Sequence, residues 1–216
     1  VDGPSGAGKG TLCEALATRL GWHFLDSGAL YRVLAFDGQQ AGVALDDAET
    51  LAARARALAL RFAPGGGVWL GDQDVSLAIR TDAAGQAASQ VAALPPVREA
   101  LLARQRDFAQ APGLVADGRE MGTVVFPEAP LKIFLSASAP ARAERRYKQL
   151  KEKGLDVNLR ALLDSIQARD ERDQARSASP LRPADDALVI DSTALAIDDV
   201  FGAVWRAALQ RGLCAE

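Results

Sequence analysis

The chain has few of the residues that build disulfide frameworks or metal centres. Its 216 residues include two cysteines, one histidine and one methionine. Cys13 and Cys214 make no disulfide framework, and the sequence offers no metal–thiolate or Ser–His–Asp constellation. Cys13 lies in a helical pattern, where a small buried thiol is expected. His23 has apolar neighbours in a strand pattern, which favours core packing over catalysis.

Long apolar runs and a strong excess of one charge are also absent. No run approaches membrane-spanning length, and no signal peptide is visible. The formal net charge is -3, which predicts that the chain as a whole binds neither nucleic acid nor a membrane surface. With 49% hydrophobic and 25% charged residues, the composition is that of a globular protein of one or two domains. We therefore expect a soluble protein of a reducing cytoplasm.

What the sequence does contain is a phosphate-binding loop near its start. Residues 3–11 read Gly-Pro-Ser-Gly-Ala-Gly-Lys-Gly-Thr, which fits G-x-x-x-x-G-K with Gly10 where Ser or Thr is more usual. The glycines let several backbone N–H groups point inward, and Lys9 adds a mobile positive charge. The helical pattern from Thr11 to Leu20 adds the positive end of a helix dipole. The loop predicts a site for a nucleoside triphosphate tail.

Only Val1 and Asp2 represent the strand that should precede this loop. The sequence also lacks an initiator methionine. We expect several apolar residues upstream, with the sequence a fragment or a piece of a longer polypeptide.

Four later apolar segments alternate with helical patterns, and each ends at a polar residue. They are 22–25 before Asp26, 114–116 before Asp117, 131–135 before Ser136, and 187–190 before Asp191. Short apolar runs separated by helices predict a parallel sheet covered on both faces, with five strands if the truncated first one is counted. Ligands bind beyond the carboxyl ends of such strands, which draws attention to Asp26 and Asp117.

Residues 59–90 interrupt this alternation. Leu60–Phe62 and Val68–Leu70 read as the strands of a hairpin, with Gly65–Gly67 and Gly71–Asp74 as turns. Helices are expected before and after Pro95-Pro96. A further helix over 197–209 is expected to bury one stripe, with Trp205 as a packing residue; the stripe consists of Ile197, Val200, Phe201, Val204, Trp205 and Ala208.

The helical segment 158–177 changes character along one face. Asn158 is a plausible N-cap, and the apolar stripe of Leu159, Leu162, Leu163 and Ile166 continues into Arg169, Asp170, Asp173 and Arg176. Either these charges meet partners or a polar ligand, since burying them alone is costly, or the helix leaves the core and they pair in water. Periodicity alone leaves both interpretations open.

A basic run follows the fourth strand, if the truncated first strand is counted. It comprises Arg142, Arg145, Arg146, Lys148, Lys151 and Lys153. A solvated helix face is the usual explanation, whereas beside a triphosphate site the alternative is an arm that closes over the phosphates and excludes water.

Six stretches resemble the bacterial cytidylate kinases, and they occur in the expected order along nearly the whole chain. The most specific are Asp26-Ser-Gly-Ala-Leu-Tyr-Arg32 and Asp117-Gly-Arg-Glu-Met-Gly-Thr-Val-Val125; the others are residues 2–12, 88–92, 97–102 and 169–173. The resemblance implies transfer of a phosphoryl group from ATP, with Mg²⁺, to CMP or dCMP. Gly-Lys-Gly-Thr is the usual loop in nucleoside monophosphate kinases, so Gly10 supports the resemblance.

The resemblance also implies an architecture. This is an α/β P-loop fold of three layers with a five-stranded parallel sheet whose first strand is truncated. Residues 1–58 and 91–216 would form the core, with a lid at about 142–157, and 59–90 a small α+β insert that binds the nucleoside monophosphate. The resemblance favours a monomer whose partners are its small-molecule substrates.

Site residues follow from the resemblance position by position. The donor phosphates would be held by Gly3, Pro4, Ser5, Gly6, Ala7, Gly8, Lys9, Gly10, Thr11 and, in the lid, Arg145. The acceptor pocket would contain Ser27, Tyr31, Arg32, Ser89, Arg98, Arg119, Glu120, Arg169, Asp173 and Arg176. Within it Ser89, Arg98 and Glu120 would read cytosine, Arg169 and Asp173 the ribose, and Arg32, Arg119 and Arg176 the phosphate. Lys9, Asp117, Arg119 and Arg176 would be catalytic, with Asp117 holding Mg²⁺ directly or through water.

One position departs from the family pattern, because Glu120 stands where Asp is usual. A carboxylate suits the exocyclic amine of cytosine and repels the carbonyl of uracil, but the added methylene alters its reach and leaves base selectivity open.

Other functions remain as alternatives. A different small-molecule P-loop kinase would act on UMP, AMP or a non-nucleotide alcohol. A regulatory GTP-binding switch would need an Asn-Lys-x-Asp motif, which this sequence lacks. Retention of Lys9, Asp117 and the candidate arginines argues against an inactive binding module.

Overall fold

The computed structural model describes residues 1–63, 67–152, 154, 156–176 and 179–215. The chain divides into two units, one formed by Val1–Leu25 with Ala109–Glu216 and the other by Asp26–Phe108. Within the described residues, no helix is both long and apolar enough to cross a membrane. Gly65, Gly66 and Lys153, which the sequence analysis mentions, lie outside the described residues.

Helices and strands alternate over most of the chain. In order they are α1 (Lys9–Leu20), β1 (His23–Asp26), α2 (Ser27–Gln40), α3 (Ala48–Ala57), β2 (Leu60–Ala63), β3 (Gly67–Leu70), β4 (Gln73–Asp74), α4 (Asp82–Val91), α5 (Pro95–Arg106), β5 (Leu114–Asp117), β6 (Ile133–Ser136), α6 (Ala139–Glu152), α7 (Leu159–Ala175), β7 (Leu188–Asp191) and α8 (Ile197–Gln210). In addition, Ala78–Arg80 forms a short 3-10 helix and Met121–Val125 forms a short π-helix.

The four predicted apolar strands are confirmed, and each includes the polar residue that follows its apolar run. β1 pairs with β5, and β6 pairs in parallel with β7 in the register Ile133–Leu188 to Ser136–Asp191. Asp2 makes isolated parallel bridges to Gly118, after β5, and to Phe134 in β6. The fold is thus mixed α/β with parallel pairing, as the alternation of apolar runs and helices predicts.

The core of the first unit lies between these strands and α1 and α8. Its fully or nearly buried members include Leu12, Leu16, Ile133, Leu135, Val200 and Val204. Cys13 is buried in the same cluster, as predicted. Trp205 is partly buried against the core and stacks on Phe201 at 5.9 Å between ring centroids, with the Arg19 guanidinium 4.0 Å from the Trp205 ring centroid.

Two burial predictions are wrong, both at the ends of elements. Ile197, the first residue of α8, is 42% exposed because the helix begins beyond the core. His23 is exposed at the start of β1, where its Nε2 lies 2.9 Å from the Ala111 carbonyl oxygen. Apolar neighbours in sequence therefore do not guarantee burial at a terminal position.

The second unit contains the predicted hairpin. β2 and β3 pair antiparallel with Phe62 opposite Val68, and β3 also pairs with β4. Gln73–Asp74, predicted as part of a turn, is therefore a short third strand. Just after this strand, the Ser76 hydroxyl oxygen accepts a hydrogen bond of 2.8 Å from the Val68 N–H in β3.

Helices complete the second unit, with α3 packed on α5 and α2 on α4. Side-chain oxygens cap three of the four helices, because Asp26, Asp47 and Thr81 each accept from the N–H three residues on. The helix that follows these begins with Pro95 and Pro96, which need no N–H partner in a first turn. The two helices expected around this proline pair are thus confirmed, although the prolines belong to the second.

Candidate active site

The phosphate-binding loop has the backbone that its glycines predict. Gly3, Gly6 and Gly8 have φ values of 147°, 80° and 100°, which residues other than glycine rarely adopt. A Cβ at Gly3 would lie 2.0 Å from the Leu135 carbonyl oxygen. The loop therefore runs directly against the end of β6, and α1 begins at Lys9 immediately after it.

Lys9 is held over this loop. It is 5% exposed, donates a 3.0 Å bond to the Pro4 carbonyl oxygen, and lies 3.6 Å from an Asp117 carboxylate oxygen. Burial, reinforced by Arg119, lowers the pKa of Lys9 to about 8 against the opposing effect of Asp117. Because burial and a neighbouring cation disfavour the ammonium, a bound anion would stabilise it.

Asp117 ends β5 beside the loop. Its side chain is 14% exposed, and a Cβ at Gly10 would lie 3.7 Å from its Oδ2. The described part of the chain brings together no group of three or more His, Cys, Asp or Glu side chains that could hold a metal. One carboxylate next to a phosphate site nevertheless fits Mg²⁺, which usually takes its remaining ligands from water and substrate phosphates.

The charged face of α7 meets partners. For Asp173 and Arg176 this confirms the interpretation that the charges are paired away from water. Asp173 is 4% exposed, accepts a 3.0 Å bond from Arg119 Nε, and pairs at 3.0 Å with Arg176. Burial alone would raise the pKa of Asp173, but Arg119, Arg176 and Arg169 together hold it below its usual value. Asp173 thus remains a carboxylate that orients cations.

Arg142 binds Asp170, the other acidic residue of this face. It is 3% exposed and donates from Nε to the Ala137 carbonyl, and from Nη1 to Ser5 O at 2.9 Å and Asp170 Oδ1 at 3.1 Å. Its stem also lies against Gly6, where an added Cβ would be 3.4 Å from that of Arg142. α6, α7 and the phosphate-binding loop therefore share one buried guanidinium.

Arg145 points to a different part of the same unit. Its Nη1 donates a 3.2 Å bond to the Ser192 hydroxyl, and Nη2 contacts the Ser192 carbonyl oxygen. Ser192 is 2% exposed and its hydroxyl lies 3.2 Å from the Ala7 carbonyl oxygen in the phosphate-binding loop. A candidate for the donor phosphates is thus linked to the loop through one serine.

Asp2 is a buried residue next to two candidate site residues, and sequence reasoning did not single it out. It is 4% exposed, and its carboxylate accepts bonds of 2.7 Å from the Met121 N–H and 2.8 Å from the Gly122 N–H. These amides follow Arg119 and Glu120, and Glu120 is itself 3% exposed. Asp2 therefore ties the segment that carries two candidate acceptor residues to the strand that leads into the loop.

The second unit holds the remaining candidates. Arg32 donates to the carbonyl oxygens of Ile79 at 2.8 Å and Thr81 at 3.3 Å. Arg98 is 8% exposed, donates to the Ala92 carbonyl oxygen at 3.0 Å, and its guanidinium carbon lies 5.9 Å from the Tyr31 ring centroid.

The two candidate serines of the second unit are also buried. Ser89 is buried in α4, and Ser27 opens α2 directly beyond the carboxyl end of β1. Ser27 donates its hydroxyl proton to Gln105 Oε1 at 2.6 Å. Gln105 is a buried residue that the sequence analysis did not mention.

Within the first unit, the structure brings the predicted donor-side and acceptor-side charges together. Arg119, Asp117 and Arg169 act electrostatically on Lys9, and Asp173, Asp117 and Glu120 act on Arg119. Arg176 and Arg169 act in turn on Asp173. A cluster of buried cations and carboxylates beside a glycine-rich loop is suited to phosphate groups.

A glycine-rich loop that leads directly into a helix, with its lysine beside a strand-terminal aspartate, defines the protein as a P-loop protein of the α/β class. The comparison with known families gives the particular group. The family model described as cytidylate kinase matches residues 1–210. The chain belongs to the cytidylate kinase family, which confirms the resemblance found in its motifs.

Individual relatives agree with this assignment. A cytidylate kinase of Aeromonas hydrophila subsp. hydrophila is 60% identical over 203 residues, which cover 93% of this chain and 88% of that protein. One of Pseudomonas aeruginosa is 56% identical over 217 residues, covering 98% and 95%. One of Photobacterium profundum is 60% identical over 203 residues, covering 93% and 89%.

Proposed function

We propose that the protein transfers the γ-phosphoryl group of ATP to CMP or dCMP, giving CDP or dCDP. The observation that carries the proposal is the buried cluster around Lys9, Asp117, Arg119 and Asp173, which joins the phosphate-binding loop to acceptor residues in one electrostatic group. Membership of the cytidylate kinase family over residues 1–210 supports the choice of nucleotide.

On the donor side, the loop Gly3–Thr11 holds the triphosphate through its N–H groups and the start of α1. Lys9 bridges toward the transferred group, and Arg145 reaches the donor phosphates on exchanging its Ser192 contacts for them. Asp117 holds Mg²⁺ directly or through water. When bound, this ion supplies charge neutralisation at the phosphates.

On the acceptor side, Arg119 and Arg176 bind the CMP phosphate while Asp173 fixes their orientation through its ion pairs. Arg169 and Asp173 contact the ribose. Ser89, Arg98 and Glu120 read cytosine; Ser27, Tyr31 and Arg32 line the pocket, with Arg32 near the phosphate. Glu120 accepts a hydrogen bond from the exocyclic amine, a donor that uracil lacks.

The transfer is an in-line displacement. An oxygen of the CMP phosphate attacks the γ-phosphorus, the new P–O bond forms as the bond to the β,γ-bridging oxygen breaks, and ADP leaves with that electron pair. No covalent enzyme intermediate is needed because the acceptor phosphate is already a nucleophile. Lys9 and the arginines act by positioning the two phosphates and compensating their charge.

The architecture proposed for this activity is a five-stranded parallel core in the order β1, β5, the Val1–Asp2 segment, β6 and β7. The parallel bridges of Asp2 to Gly118 and Phe134 support that order. Residues 59–90 would form the acceptor-binding insert and 142–157 the lid that excludes water. We also propose a cytoplasmic monomer.

The decisive experiment is an ATP-consumption assay against CMP, dCMP, UMP and AMP. We expect turnover with CMP and dCMP and little with the others. Preferred use of UMP or AMP would replace the proposal by another P-loop kinase activity. Lys9→Ala should lower kcat by orders of magnitude, while Arg160→Ala, at an exposed ion pair with Asp164, should leave it unchanged.

Base recognition has its own test in Glu120→Gln. An amide offers either an oxygen or an N–H to the base, so the ratio of kcat/KM for CMP over UMP should fall. An unchanged ratio would remove Glu120 from base recognition.

A further inference from the structure

The second unit has four polar or charged side chains among its buried described residues: Ser27, Ser89, Arg98 and Gln105. The resemblance assigns the first three to the acceptor pocket. Gln105 is 1% exposed and has no assigned role. Since a buried amide is costly unless its hydrogen-bonding groups are used, its contacts indicate what it does.

The contacts fix the direction of one hydrogen bond. Gln105 Nε2 donates to the Leu101 carbonyl oxygen at 3.4 Å, which turns Oε1 toward Ser27. A carbonyl oxygen can only accept, so the Ser27 hydroxyl, at 2.6 Å, must donate to it. A serine hydroxyl has one proton, and in this arrangement that proton is already used.

Ser27 Oγ can still accept a hydrogen bond through its lone pairs. Ser27 lies directly beyond the carboxyl end of β1, where ligands bind in α/β folds. A ligand atom that meets this oxygen is favoured if it donates a hydrogen bond. The exocyclic amine of cytosine has two such protons, whereas the corresponding position of uracil is a carbonyl oxygen.

We propose that Gln105 is a specificity-determining positioning residue, which holds the Ser27 hydroxyl as an acceptor for the cytosine amine and so rejects uracil. This inference rests on the proposed function, because it takes Ser27 to line the CMP pocket. The amine would then donate one of its protons to Ser27 Oγ. Gln105 itself touches no substrate and acts through Ser27.

The test replaces the acceptor without changing the hydroxyl. Gln105→Met keeps the side-chain length but removes Oε1, so the Ser27 hydroxyl can rotate and donate to a uracil carbonyl. We expect kcat/KM for CMP to fall and that for UMP to rise, with the ratio changing by about tenfold, the effect of one hydrogen bond. KM for ATP should not change.

Two further variants separate this role from a structural one. Leu101→Met changes a fully buried residue one turn earlier on α5 and should leave the CMP/UMP ratio as in the wild type. In a Ser27→Ala background, Gln105→Met should have no further effect on the ratio. A ratio change that persists without the hydroxyl, or an equal loss for both nucleotides, would overturn the proposal.

Other outcomes are also distinguishable. A wild-type protein that does not phosphorylate CMP refutes the proposed function, whatever the variants do. If Gln105→Met fails to fold, the Ser27→Ala variant alone tests the proposal. It should lower kcat/KM for CMP about tenfold without a gain for UMP, and an unchanged value for CMP would refute the acceptor role.

Discussion

Asp2 offers the sharpest test of how the candidate active site is held. Its carboxylate accepts two short bonds, from the Met121 and Gly122 N–H groups, and all three residues are buried. Hydrogen bonds to a charged group contribute about 1.5–3 kcal/mol each. Asp2→Asn keeps one acceptor oxygen but turns an NH₂ group toward the other N–H, so one bond is lost and a donor faces a donor. We expect a loss of about 3 kcal/mol in the free energy of unfolding.

Asp2→Ala should cost more. It leaves both N–H groups buried without the carboxylate, at about 1–3 kcal/mol each, so a loss of about 4 kcal/mol is expected. The assay is urea unfolding of the wild type, both Asp2 variants and Asp46→Asn, in which an exposed aspartate undergoes the same chemical change. The control should stay within about 0.5 kcal/mol of the wild type.

Hydrogen exchange localises the effect. The Met121 and Gly122 amides should exchange faster in Asp2→Asn, while amides of α3 in the other unit should not. If Asp2→Asn unfolds at the urea concentration of Asp46→Asn, with both amides still protected, the carboxylate does not hold this segment.

Three further predictions follow from other contacts. Gly3→Ala places a Cβ 2.0 Å from the Leu135 carbonyl oxygen, so the loop must shift; thermal melting should show clear destabilisation, and an unchanged melting temperature would contradict the geometry. Arg142→Lys keeps the charge but loses the fork shared by Ser5 and Asp170, so kcat/KM measured with varied ATP should fall about thirtyfold, equivalent to about 2 kcal/mol, and an effect on CMP alone would argue against it. The lowered pKa of Asp173 means that its ionised form favours the folded state. Its contribution is fully present above the unfolded-state pKa of about 4 and is lost as pH falls from there through the lower folded-state pKa, so unfolding titrations should show the wild type and Asp173→Asn converging in acid.

Local patterns predicted the parts of this molecule that depend on neighbours in sequence. The glycine spacing predicted a tightly wrapped phosphate-binding loop, and the structure has Gly6 and Gly8 at positive φ. Apolar runs ending in an acidic residue predicted β1, β5 and β7, because a strand leaves the core where its side chains become polar. Asn158 caps α7 as its side chain suggested.

Contacts between distant parts of the chain could not be predicted in the same way. The change from apolar to charged residues along α7 indicated that its acidic groups need partners, but not that Asp170 would meet Arg142 or Asp173 would meet Arg119. Periodicity gives the direction of a side chain from its own helix, whereas the partner depends on which element packs against it. For the same reason the sequence analysis did not identify Gln105, whose partner Ser27 lies on another helix.

Three buried polar residues of the first unit, Asp2, Arg142 and Ser192, make backbone contacts that sequence reasoning did not predict. Asp2 accepts from two amides, Arg142 donates to two carbonyls, and the Ser192 hydroxyl contacts the Ala7 and Ser136 carbonyls. A backbone group has no residue identity, so no motif in sequence marks its partner. Yet each of these side chains is enclosed, where an unused polar group would destabilise the fold. The hydrogen bonds that these side chains make to the backbone therefore offset the cost of burying them, and the same bonds hold the loops in place. Substitutions at these residues should alter the positions of phosphate and base more than the chemistry at Lys9.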